Sequence, residues 1–217
     1  MKRMLGKKVI RSFCMVCRKG IIMLLTLVSF CFAASSMAQT SATEEVKKVV
    51  DEVVSIVSNP DMKKPENKEK RQKGLKDAIS AIFDFAEMAR SSLGSHWVDL
   101  TPEQKDEFEK TFETLLENTY SKKIESYNNE RIVYLKETVN GDSSEVKSKV
   151  VTSKHDDFTL DYRLLNKGGK WMIHDVVIEG VSLVANYRTQ FDEVILKEGY
   201  PTLYKKLNDK NKETSTQ

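Results

Sequence analysis

Cysteine is missing from all but the first stretch of the chain. Cys14, Cys17 and Cys31 are the three, and all precede Ser36. The rest of the sequence therefore forms no disulfide, holds no cysteine-ligated metal and offers no thiol nucleophile. Proline and glycine are scarce, 4 and 9 in 217 residues, which excludes collagen-like and low-complexity architectures. Histidine occurs three times, as His96, His155 and His174, and no HExxH, GxSxG or phosphate-loop pattern accompanies it. No apolar run reaches the ~20 residues that a spanning helix needs. Acid is missing from one end: the first 38 residues carry Lys2, Arg3, Lys7, Lys8, Arg11, Arg18 and Lys19 but none of the 32 Asp+Glu.

That acid-free end has the pattern of a secretory leader. Its basic segment is followed by a 14-residue apolar run, Ile21 to Ala34, and by Ser36-Met37-Ala38, a small-x-small cleavage site before Gln39. The expectation is cleavage near Ala38/Gln39 and a bacterial periplasmic location. Phe30 stands before Cys31 where a lipidation signal requires a small residue, and the Cys14/Cys17 spacing lies inside the leader. Without the leader, 28 Lys+Arg face 32 Asp+Glu, a balance of −4 against +3 for the whole chain. The apparent basicity belongs to the leader, so no nucleic-acid face is implied. Residues 39–208 are enough for one domain with its own core, expected to be a monomer, and 209–217 read as a polar, disordered tail.

Helices come first and strands second. Val46, Val49, Val50, Val53 and Val57 recur at helical spacing over 43–58. After a polar, Lys/Glu-rich stretch, Leu75, Ile79, Ile82, Ala86, Ala89 and Leu93 form a second stripe, ended by Gly94. Thr101-Pro102-Glu103-Gln104 is a strong helix start: Thr101 caps, Pro102 takes the first position, and Gln104 completes a capping box. Phe108, Phe112, Leu115, Leu116, Tyr120, Ile124 and Tyr127 line that third helix. From Glu130 the period becomes two. Four strands follow, with Asn140-Gly141 and Lys167-Gly168-Gly169 as turns, and then a helix striped by Val184, Tyr187, Phe191, Val194 and Ile195. A short helix is expected at Thr202 to Leu207. The fold class is α+β: N-terminal helices on a twisted antiparallel sheet of four strands or slightly more, then C-terminal helices, enclosing an apolar pocket.

Candidates for chemistry are few. His155-Asp156-Asp157 falls at a turn, where solvated polar residues are the rule. His174 and Asp175 are neighbours on a strand and point to opposite faces, which rules out a dyad. Asp84 and Glu87 are i, i+3 neighbours and read as surface charges. No nucleophile is marked, and the chain is not read as an enzyme. The prominent residues are apolar and aromatic: Phe108, Phe112, Tyr120, Tyr127, Tyr134, Tyr162, Trp171, Tyr187 and Phe191 are placed between sheet and helices. Composition does not separate a plain core from a ligand wall.

Three stretches carry a resemblance. One is Phe83-Asp84-Phe85 with Met88-Ala89, Leu93-Gly94 and Trp97. The second is Leu100-Thr101-Pro102-Glu103-Gln104 with Phe108, Phe112, Leu115-Leu116 and Tyr120. The third runs from Trp171 through Ile173-His174-Asp175-Val176-Val177-Ile178-Glu179-Gly180 to Val184, then Tyr187-Arg188 and Phe191. Together, over residues 43–208, the chain resembles the MlaC / toluene-tolerance (Ttg2-type) family of periplasmic lipid-binding proteins. His174 departs from the pattern, which has an aromatic there. The resemblance implies a shuttle with bound phospholipid as cargo and no cofactor or metal. Its partners would be an inner-membrane ABC transporter complex with an MCE-domain ring and an outer-membrane lipoprotein–porin complex, and its role would be outer-membrane lipid asymmetry.

For acyl tails the favoured lining is Phe85, Met88, Leu116, Tyr120, Tyr162, Val177, Val184 and Tyr187. For the headgroup, Gly180-Val181-Ser182 is expected to open a helix whose free N–H groups suit a phosphate, with Arg188 within two turns. Two other readings of the same apolar groove remain: a carrier of another membrane lipid, hopanoid or sterol-like, and a protein-binding or chaperone module.

Overall fold

The computed structural model describes residues 40–153 and 156–215. The expected leader and His155 lie outside the described residues. The elements are α1 (Ala42–Ser58), α2 (Lys68–Ser80), α3 (Phe85–Leu93), α4 (Pro102–Glu125), β1 (Arg131–Asn140), β2 (Ser143–Val151), β3 (Phe158–Lys167), β4 (Lys170–Ile178), β5 (Val181–Ser182), α5 (Leu183–Glu198) and α6 (Tyr200–Ser215). Short 3-10 turns occupy Pro65–Asn67 and Gly94–Asp99. The five strands form one antiparallel sheet in the order β1-β2-β3-β4-β5.

Local chemistry accounts for most boundaries. Thr101 and Gln104 make the reciprocal capping box at α4: Gln104 N donates to Thr101 Oγ1 at 3.3 Å and Thr101 N to Gln104 Oε1 at 2.9 Å. At α1 the local cap, Ser41 Oγ accepting from Glu44 N at 3.1 Å, is joined by a tertiary one. Glu137 of β1 accepts from Ala42 N (3.2 Å), Thr43 N (2.9 Å) and Thr43 Oγ1 (2.5 Å), so a carboxylate sits on the positive end of that helix. Burial alone would raise the Glu137 pKa, but these hydrogen bonds outweigh it and hold it below the usual value.

Four expectations change. The apolar stripe of 75–93 is two helices. Between α2 and α3 the chain leaves the helix and runs beside β4: Ile173 N donates to Ile82 O at 2.7 Å, and Asp84 N to Ile173 O at 2.8 Å. Asp84 is buried rather than a surface charge. Its Oδ1 caps α3 by accepting from Glu87 N at 3.2 Å, and Lys167 pairs with its Oδ2. Second, Val181–Ser182 do not open a helix. They fold back on β4 as β5 through a two-residue turn with positive φ at both Glu179 (48°) and Gly180 (78°), and α5 begins at Leu183.

Third, of the tail 209–217 expected to be disordered, residues 209–215 are helical, in α6. Leu203, Leu207 and Asn211 recur every four residues on a buried face, and Asn211 Nδ2 donates to Thr111 O of α4 at 3.0 Å. Fourth, strict alternation fails on β4. The β3–β4 register shifts at Arg163/Leu164: Leu164 pairs with Ile173 but Arg163 with Asp175, so His174 is the extra residue of a bulge. Tyr162 then faces Val176, and Asp161 faces Val177.

Apolar burial gathers in two clusters. One lies among α3, α4, α5 and α6 and contains Met88, Leu93, Phe108, Phe112, Leu115, Leu116, Val184, Tyr187, Phe191 and Leu203. The other joins α1 to the sheet through Val46, Ile82, Val146, Tyr162, Leu164, Trp171, Ile173 and Val176. Phe83, in the break between α2 and α3, packs against both. Helix α2 closes on α1 at Gly74, where a Cβ would meet Ile56 Cδ1 at 3.4 Å.

Candidate functional site

The strand-to-helix junction before α5 is where a phosphate site is expected. Asp175, 4% exposed on β4, occupies it. Its Oδ2 accepts from Ser182 Oγ at 2.6 Å and from Arg163 Nη1 at 3.1 Å, and its Oδ1 accepts from Val184 N at 3.1 Å. Ser182 Oγ also accepts from Ala185 N at 3.0 Å as the N-cap of α5. The first-turn amides thus have a resident carboxylate and hydroxyl. Val181 is 58% exposed on β5. Arg188 lies on the exposed side of α5, where its Nε donates to Ser91 O at 2.6 Å. Its stem covers Gly94, whose absent Cβ would stand 3.4 Å from Arg188 Cδ. Arg188 therefore meets a carbonyl in the last turn of α3, the end of a helix that favours a cation.

The apolar candidates divide. Phe85, Met88, Leu116, Tyr120, Val184 and Tyr187 come together in the helical cluster, with Phe85 and Tyr120 only partly buried at its margin. Tyr162 belongs to the α1–sheet cluster. Val177 is buried too, but it shares a strand face with Asp161 rather than Tyr162, so the structure does not bring it to the same lining. The aromatic set divides likewise. Phe108, Phe112, Tyr187 and Phe191 form a ring knot between α4 and α5. Phe112 meets Tyr187 edge-on at 5.2 Å and Phe191 at 5.8 Å, and Phe108 stacks on Phe112 at 5.9 Å. Tyr134, Tyr162 and Trp171 lie with the sheet, and Tyr127 in neither cluster.

Phenols dominate the polar chemistry of this interior. Burial raises the Tyr162 pKa strongly, with the nearby Tyr134 and Asp161 adding to it. Burial likewise raises Tyr120, and raises Tyr187 with partial relief from its hydrogen bond to Thr119. All stay protonated at neutral pH, so these phenols add no charge to the interior. Burial lowers the His174 pKa against the opposing pull of Asp175, Glu87 and Asp84. Glu87 is engaged by Arg90 and Ser91 on the surface of α3. No group of three or more His, Cys, Asp or Glu able to hold a metal occurs among the described residues, and no helix among them is long and apolar enough to cross a membrane.

Sequence reasoning missed Phe83, which joins the two clusters, and the structural role of Asp175. The first had a signal: Asp84 followed three residues later by Glu87 is a helix start inside an apolar stripe. The second was the one acid of its strand.

Comparison with known proteins places this geometry. The family model described as "MlaC protein" matches residues 47–209. A Haemophilus influenzae relative, "Intermembrane phospholipid transport system binding protein MlaC", is 22% identical over 191 residues, covering 86% of this chain and 89% of its own. "Toluene tolerance protein ttg2D" of Pseudomonas putida is 29% identical over 100 residues, 46% of each chain. Among solved structures, a phospholipid-binding protein from Ralstonia solanacearum, in complex with a phospholipid, superposes with a TM-score of 0.73 at 28% identity. It covers 81% of this chain and 99% of its own.

Proposed function

The chain belongs to the MlaC family, and from that premise we propose that it is a periplasmic phospholipid carrier. It takes lipid between an inner-membrane MCE-domain ABC transporter complex and an outer-membrane lipoprotein–porin complex, and so maintains outer-membrane lipid asymmetry. The observation that carries this reading is the fold shared, at a TM-score of 0.73, with a protein solved in complex with a phospholipid. The division of the interior into two apolar clusters that meet at Phe83 supports it. Acyl tails part layers joined by apolar contacts more readily than layers joined by ion pairs.

We assign the tails to the helical cluster at Phe85, Met88, Leu116, Tyr120, Val184 and Tyr187, with Tyr162 across from them on the sheet. The headgroup charge is assigned to Arg188, with Gly180 in the turn and Val181 and Ser182 on β5 leading into its helix. Two buried chains of ordinary length are worth over ~20 kcal/mol of gross transfer energy at about 0.8 kcal/mol per methylene. The bilayer offers the lipid nearly the same, so the net bias is small and exchange runs either way. No covalent step is involved.

The test is transfer. Delipidated protein is incubated with donor vesicles holding labelled phospholipid, separated, and given to acceptor vesicles. Protein-dependent transfer, weakened by Arg188→Glu in a folded protein, supports the reading. Absence of any lipid pick-up by the parent protein contradicts it.

A further inference from the structure

Two buried polar atoms on the inner face of the sheet, the Tyr134 and Ser144 hydroxyl oxygens, have no hydrogen-bond partner in the protein, and the phenol is the one packed against the cluster between α1 and the sheet. Tyr134 stands on β1 opposite Ser148 of β2, but the Ser148 hydroxyl is committed to Leu160 O. The ring packs against the cluster between α1 and the sheet, beside Tyr162. Burial pushes the Tyr134 pKa up to about 12, with a smaller contribution from Asp51 of α1, which is itself paired with Lys47. The phenol is therefore a proton donor at any physiological pH. A buried donor left unmatched costs the protein stability, and phenylalanine would fill the same space without that cost. The unmatched donor fits an acceptor brought by the cargo.

The surroundings restrict that acceptor. The apolar packing around the hydroxyl holds an ion poorly, so a phosphate oxygen fits poorly here. The apolar ring contacts suit the region where acyl chain meets glycerol, and the neutral acceptor of that region is the ester carbonyl. We infer that the Tyr134 hydroxyl donates a hydrogen bond to an ester carbonyl of the bound lipid, and so makes the carrier favour ester-linked over ether-linked glycerolipid. An ether oxygen is a weaker, more hindered acceptor and has no carbonyl to offer. The inference rests on the carrier reading and adds the linkage chemistry of its cargo.

The experiment compares the parent protein with Tyr134→Phe. Both are delipidated and equilibrated with vesicles of dimyristoyl phosphatidylglycerol or of its dialkyl ether counterpart, and bound lipid is counted by native mass spectrometry. The ratio of parent to variant cancels differences between the two bilayers. The expected result is an ester-over-ether preference about five- to tenfold greater in the parent than in the variant, the size of one net hydrogen bond. A second readout is the melting temperature. Delipidated Tyr134→Phe melts at or above the delipidated parent, yet gains less on loading with ester lipid. Equal preference in both proteins, or an equal gain on loading, overturns the inference and leaves the carrier intact. A parent that binds neither lipid overturns the carrier reading itself.

Discussion

Replacing Asp175 by alanine tests whether the start of α5 is a structural junction or an open anion site. The carboxylate is 4% exposed and accepts from Ser182 Oγ (2.6 Å), Val184 N (3.1 Å) and Arg163 Nη1 (3.1 Å). The Arg163 side chain is 45% exposed, so water replaces its lost partner and the pair contributes little. The Ser182 and Val184 bonds to a charged acceptor are worth about 1.5–3 kcal/mol each. Their loss, offset in part by removing a buried charge, destabilises the fold by about 3 kcal/mol. For a domain of this size that lowers the melting temperature by about 6–12 °C. Thermal unfolding followed by circular dichroism on delipidated protein measures it, with Arg163→Ala as the comparison and a fall of no more than about 2–4 °C. Asp175→Asn, which keeps one acceptor oxygen, falls between them. A melting temperature within about 2 °C of the parent for Asp175→Ala would refute the junction.

Three further outcomes follow from the same structure. Val184→Trp overfills the helical cluster beside Tyr187 and reduces lipid bound per folded molecule at least severalfold; unchanged lipid content would remove Val184 from the lining. Glu137→Gln weakens the docking of α1 on β1. Because the folded Glu137 pKa is depressed, its contribution is present above the ordinary glutamate value and is lost as pH falls through the folded value. The difference in urea midpoint between parent and variant should therefore be larger at pH 7 than at pH 3.5. His174 has the same sense in a higher pH window: its folded pKa lies below the ordinary value, so the unfolded chain takes up the proton first and stability is lost as pH falls through about 6.5. His174→Phe, restoring an aromatic at that position, should flatten the stability profile between pH 7.5 and 5.5; an unchanged slope would mean His174 is solvated in the folded state.

Elements fixed by residues within one turn of each other were legible in the sequence. The α4 start was legible because Thr101, Pro102 and Gln104 act within one turn, and the β1–β2 and β3–β4 hairpins because glycine marks their turns. The family was legible because three motifs stood in register. What escaped was set by partners distant in sequence. The break before α3 depends on Ile173, about 90 residues away, bonding to Ile82 and Asp84. The last turns of α6 depend on Thr111 and Asn118 of α4. The bulge at His174 reversed the facing of Asp175 to Ile178 relative to Trp171 and Ile173, so Val177 was assigned to the wrong company. The α5 junction escaped because a helix N-terminus looks open to an anion in sequence, and only folding brings Asp175 to fill it.

The most direct test of the central claim is native mass spectrometry of the protein exported to a bacterial periplasm, with organic extraction of whatever accompanies it. The carrier account predicts a stoichiometric mass that extracts as phospholipid. A protein that arrives empty and takes no lipid from vesicles, or one that carries polypeptide in its place, would contradict it.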